Sequence, residues 1–84
     1  MPALKMCSIY DSKAEAWMTP MFFQAIGQAV RTFSDTVNNA DSPFGKHPED
    51  YTLFEVGAFN EQTGEVTTIS PRSIMVGVNL VQGD

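Results

Sequence analysis

The spacing of hydrophobic positions changes twice along the chain. Leu4 to Tyr10 alternates, with Leu4, Met6 and Tyr10 on one face and Cys7 and Ile9 on the other. That is the two-residue period of a strand. Asp11-Ser12 closes it with turn-forming side chains. Ile26, Ala29, Val30, Phe33 and Val37 then recur at helical spacing and form a stripe suited to lying on a sheet. Asn38-Asn39 ends that helix, because Asn tolerates the left-handed conformation at a C-terminus. From Tyr51 to Phe59 β-branched and aromatic residues crowd together in the most strand-like run of the chain. Thr52, Phe54, Val56 and Ala58 are expected on one face; Tyr51, Leu53, Glu55, Gly57 and Phe59 on the other. Neither face starts polar, so the strand is central and covered on both sides at its beginning. Glu55 and Gly57 are expected where one face opens. Phe33, mid-stripe on the helix, is expected to meet Phe54.

The segments between these elements are set by their breakers. Residues 13–23 fit neither period, and Pro20 bars a helix interior or a central strand, so they read as an irregular or edge segment. Residues 40–46 read as a loop. Pro48 suits the first position of a short helical turn, with Glu49 and Asp50 at its positive end. Asn60 to Gly64 is a hairpin connection. Glu65 to Ile69 returns as a strand, and Ser70-Pro71-Arg72 breaks it. Ser73 to Val81 is expected as a fourth strand, with a short helix as the alternative. The order is β-α-β-β-β. It defines an α+β single domain over residues 1–84, with one helix packed on an antiparallel or mixed sheet.

At 84 residues the chain has room for one domain. Such a chain buries roughly 60% of the surface its unfolded form exposes, so its core is small and self-association is a common support. The single cysteine, Cys7, allows no internal disulfide and reads as a buried thiol in a reducing compartment. No apolar leader precedes Lys5, and no run reaches the ~18 apolar residues of a membrane span.

Ten acids against five bases leave a net charge of −5. A duplex-DNA binder usually shows a basic footprint. Nucleic-acid binding must then come from local cations or from stacking, which needs no net charge. Lys13, Lys46 and Arg72 fall in loops or turns. Arg31 and Asp35 are spaced for a surface ion contact on the helix. His47 is the only histidine, with no second His or Cys near it, so neither a metal site nor a catalytic base is expected. Helix-start electrostatics account for Glu49-Asp50. The glycines stand apart and form no phosphate loop. Aromatic residues are many for so small a core. Exposed ones can stack on unpaired bases or bury against a second protomer. Trp17, Met18, Met21, Phe22 and Phe23, around Pro20, read as a contact between copies of the chain.

Several blocks carry a family resemblance: Tyr10-Asp11-Ser12-Lys13-Ala14-Glu15-Ala16, Phe22-Phe23, the Ala29 to Asp35 run, Asn38, and Lys46 to Gly57. Together, from about Lys5 to Ile69, they resemble the small non-structural protein of gokushovirus-type microviruses, tailless phages with circular single-stranded DNA. The resemblance implies a protein absent from the capsid shell, DNA-binding, with a part in single-stranded genome synthesis in the host cytoplasm. It implies no enzyme activity, catalytic residue or cofactor. On this reading the chain binds single-stranded DNA as a homo-oligomer. Lys13, Lys46 and Arg72 would meet phosphates, and Trp17 and Tyr10 would stack on bases. The alternative is a protein-interaction factor that binds a host or phage replication protein, with little or no contact to DNA.

Overall fold

The first strand, β1 (Ala3–Asp11), is flanked on both sides and organises the sheet. The computed structural model describes residues 3–82; residues 1–2 and 83–84, the ends of the predicted domain, lie outside it. On one edge β1 pairs with two short strands, β2 (Ala16–Trp17) and β3 (Met21–Phe23). On its other side it pairs with β4 (Tyr51–Asn60), which pairs in turn with β5 (Val66–Val76). Every pairing is antiparallel, so the sheet is antiparallel rather than mixed. The segment around Pro20 is an edge, as its composition predicts: only short pieces on either side of Pro20 join the ladder.

Helix α1 (Ile26–Val37) lies on one face of this sheet. Its start is organised by Gln28, whose side-chain oxygen accepts hydrogen bonds from the backbone N–H of Gln24 and Ala25 at 2.9 and 3.2 Å. The predicted stripe is the buried one. Ala29, Phe33 and Val37 are buried against Cys7, Ile9 and Leu53, with Ile26 and Val30 half-buried beside them. Each large side chain buried in this way contributes roughly 1.5–3 kcal/mol. Asn38 ends the helix, not through the expected left-handed conformation but at φ −87° with its side chain bonded back to the last turn, and it also ties down the C-terminal segment. Its Nδ2 donates to the carbonyls of Ser34 (2.8 Å) and Leu80 (2.9 Å), and its Oδ1 accepts from the Gln82 N–H at 2.8 Å.

Several expectations are corrected. Residues 40–46 contain a helical turn, α2 (Pro43–Lys46), because Ser42 caps it. The Ser42 hydroxyl accepts from the Gly45 N–H at 3.0 Å and donates to the Thr36 carbonyl at 2.6 Å. A capping serine followed by proline is a helix start as well as a loop signal. Pro48–Asp50 forms the expected short turn, of 3-10 type. Ser70-Pro71-Arg72 does not break the last strand. β5 is the free edge of the sheet, where a missing N–H is tolerated, and the chain bulges there. The predicted strand over 73–81 stops at Val76, and Gly77–Leu80 is a 3-10 turn. Among the described residues the ion pair joins Arg72 to Glu55; Arg31 and Asp35 do not pair.

The largest correction concerns β4. Val56 stands outside both of its ladders. Met6 and Cys7, adjacent on β1, face Gly57 and Glu55, and on the other side Glu55 faces Arg72 while Gly57 faces Thr68. This extra residue reverses the alternation. Tyr51, Leu53 and Glu55 lie on the helix side with their partners Asp11, Ile9 and Cys7, whereas Gly57 and Phe59 lie on the opposite side with Met6 and Leu4. Glu55 and Gly57 therefore mark no opening, and both are buried. Phe33 does not meet Phe54. It packs with Leu53 in the core and edge-on to Phe44 at 6.1 Å, while Phe54 points to the bare side of the sheet among Tyr10 and Trp17.

Candidate functional site

The sheet face away from α1 has no covering element among the described residues. Outward positions on β1 are Leu4, Met6, Ser8 and Tyr10, and their partners on β4 are Phe59, Gly57, Phe54 and Thr52. None is charged at neutral pH. In a chain with a net charge of −5, this face is neutral and rich in aromatic rings.

At one end Tyr10, Trp17 and Phe54 form a cluster. Ring centroids of Trp17 lie 4.9 Å from both Tyr10 and Phe54, and Phe54 meets Tyr10 edge-on at 6.5 Å. Trp17 pairs directly with Tyr10 across the β1–β2 ladder. The hairpin is locked by three features. The Asp11 carboxylate accepts from the N–H groups of Lys13 (3.0 Å) and Ala14 (3.2 Å). Glu15 takes a left-handed conformation, φ 54°, that tightens the turn. The buried Ser8 hydroxyl donates to the Met18 carbonyl at 2.7 Å, while the Met18 N–H donates to the Ile9 carbonyl at 2.9 Å. Trp17 is thus fixed over the sheet yet 47% exposed. Toward the other end Phe22, 46% exposed, meets Phe59 at 5.8 Å.

Of the residues singled out in the sequence, the structure joins Tyr10 to Trp17 and places the exposed Lys13 in the turn between them. Lys46 closes α2 in the helical layer. Arg72 is paired with Glu55 on the helix side of the β4–β5 ladder. The five therefore do not form one site. Phe54, Phe22 and Phe59 complete the bare face. Sequence periodicity placed Phe54 under the helix and Phe59 on the opposite face; the Val56 bulge, which carries no signal in residue type, brings both to the bare face.

The apolar segment around Pro20 is divided between the two faces. Trp17 and Phe22 turn outward; Met21 and Phe23 are half-buried against the core under α1. Met18 lines a cleft of about 360 Å³ on the helix side, walled by Ile9, Met21, Phe33 and Phe44 and bordered by Thr32 and Thr36.

The titratable groups offer little chemistry. Burial pushes the Cys7 thiol up, with the neighbouring Glu55 adding to the effect. Burial and the Asp11 and Asp50 carboxylates push the Tyr51 phenol up. His47, Glu49 and Asp50 bring ligand atoms within 4.8 Å of one another. All three come from one solvent-facing turn, short of the four-ligand shell of a structural zinc site. No helix among the described residues is long and apolar enough to cross a membrane.

Fold and face together define a small α+β domain with one helical layer and one bare aromatic sheet face. The chain belongs to the Phage ORF5 protein family, whose model matches residues 4–80, from the first strand to the last 3-10 turn. No curated protein and no solved structure matches it.

Proposed function

We propose that this phage protein is a non-structural accessory factor of the gokushovirus type that binds single-stranded DNA during genome synthesis in the host cytoplasm. It acts by holding unpaired bases, without a cofactor and without catalysing a reaction. The observation that carries this reading is the Tyr10–Trp17–Phe54 cluster on an uncharged sheet face, an exposed Trp17 set against half-buried Tyr10 and Phe54. A base has a π-face whatever its sequence, and stacking on an aromatic side chain is worth ~1–3 kcal/mol per base. Duplex DNA buries its π-faces and is held mainly through phosphate charge, which this acidic chain is poorly equipped to meet. Lys13, in the hairpin that carries the cluster, is the cation best placed to meet a phosphate.

The test is a titration of oligothymidylate followed by Trp17 fluorescence at low and high salt. Quenching that largely survives high salt, and that duplex DNA does not produce, is expected. Equal quenching by duplex, or no quenching at low salt, would refute the reading.

The apolar cleft beside Met18 favours a second reading, in which the chain binds a host or phage replication protein through an apolar side chain of that partner. Filling the cleft by Thr32→Phe would then abolish retention of the partner and leave oligonucleotide quenching unchanged.

A further inference from the structure

We infer that the bare sheet face holds two bases of one strand at once, on two separate aromatic platforms, with the phosphates left in water. This rests on the single-stranded DNA reading and extends it to the reach of the site. The first platform is Tyr10, Trp17 and Phe54; the second is Phe22 with Phe59. Their separation follows from register. Trp17 is the partner of Tyr10, and Phe22 is the partner of Met6. Four residues along β1 at ~3.3 Å each place the platforms ~13 Å apart. Met6 and Ser8 lie between them and are 9% and 4% exposed, so the surface between the platforms is closed and uncharged. No charged side chain alternates onto this stretch of β1 or β4. A strand crossing the face would therefore meet rings at both ends and neutral surface between.

At a duplex-like rise of ~3.4 Å per nucleotide, ~13 Å is about four steps. A dinucleotide is then confined to one platform, and a hexanucleotide reaches both.

The experiment compares dT2 and dT6 on the parent and on Phe22→Ala, read by Trp17 fluorescence. Phe22 is an exposed residue, so the variant is expected to keep the parent's circular dichroism and melting temperature. Phe59→Ala serves as the second variant. For the parent, dT6 is expected to bind at least tenfold more tightly than dT2. Phe22→Ala should lose that gain, bringing dT6 affinity down to that of dT2. Equal affinities for the two lengths, or full dT6 affinity in both variants, would overturn the two-platform inference while base binding itself stands. Absence of quenching by either length would overturn the underlying reading, and the inference with it.

Discussion

The Arg72 guanidinium closes over the carboxylate of Glu55, its direct partner across the β4–β5 ladder. Glu55 is 8% exposed and sits beside the buried Cys7 on the helix side. Arg72 thus supplies the charge partner for an acid that the core would otherwise isolate. Because the Arg72 side chain is largely exposed, solvent moderates the strength of the pair. Arg72→Ala is expected to destabilise the fold by ~1–3 kcal/mol, the cost of leaving a buried polar group without its partner. Adding Glu55→Gln should recover part of that loss. Urea denaturation of the single and double variants checks it, and an unchanged midpoint for Arg72→Ala would show that the pair contributes nothing.

Phe33 is the largest fully buried side chain, at the centre of the contact between α1 and the sheet. Phe33→Ala is expected to cost ~3–5 kcal/mol. That approaches the whole stability of a small domain, so the variant should be largely unfolded or melt far below the parent. Thermal melts by circular dichroism decide the point.

Cys7 gives an alkaline pH dependence. Its thiol ionises less readily in the folded chain than a free thiol does, because burial and the nearby Glu55 carboxylate disfavour the thiolate. The folded state therefore holds the proton more tightly than the unfolded state. The associated stability is fully present below pH 9 and is lost as pH rises from there through the folded-state value. Tyr51, shifted in the same direction by burial and by Asp11 and Asp50, adds a similar loss from above about pH 10. Cys7→Ala should flatten the first part of this decline, as followed by urea midpoints between pH 8 and 10. A parent whose midpoint holds steady over that range would contradict the shift. The same burial should leave Cys7 unreactive toward a thiol reagent until the protein is unfolded.

Two glycines should respond oppositely to alanine. A methyl on Gly27, in the first turn of α1, would have nothing within 4 Å. Gly27→Ala is expected to stabilise by ~0.4–1 kcal/mol, because it restricts the unfolded chain. A methyl on Gly77 would stand 2.6 Å from the Pro48 carbonyl oxygen and 3.3 Å from that of Tyr51. Gly77→Ala must therefore push the last 3-10 turn off the sheet, and its melting temperature should fall.

Self-association and DNA are expected to compete. Trp17 and Phe22 are the outward residues of the apolar segment around Pro20, and both belong to the aromatic platforms. We propose that free protein forms a homo-oligomer by covering these rings with a second copy. Light scattering should then show more than one chain per particle, with dissociation on adding oligothymidylate. A monomer at tens of micromolar without DNA would refute the self-association.

The helix and the α+β class were legible because a stripe of apolar residues at helical spacing admits few other structures. The turns at Asp11, Asn38 and Pro48 carried their own side-chain chemistry, and Gly64 supplied the positive φ (78°) of its turn. Other features depended on position in the sheet. Pro71 reads as a strand breaker, and it is tolerated only because β5 lies at an edge. Ser42-Pro43 reads as loop and as helix start, and contact with Thr36 decides between them. Of the candidate site, Tyr10 and Trp17 were legible as stacking residues, but their pairing across a tight hairpin was not, because residues 13–23 show no strand period. The roles of Lys46 and Arg72 were not, because loop position says nothing about which layer a residue joins.

Val56 has a consequence for how the surface is encoded. Five positions separate Phe54 from Phe59, an odd count that would ordinarily send one ring into the core, and the bulge makes both point outward. The aromatic face is therefore written in chain length as much as in residue identity. Drawing Val56 into the ladder, with no residue lost, would turn the distal half of β4 inside out and bring Phe59 beneath the helix layer. Deleting the codon for Val56 would instead remove the bulge, leave four positions between Phe54 and Phe59, and keep both rings outward by plain alternation.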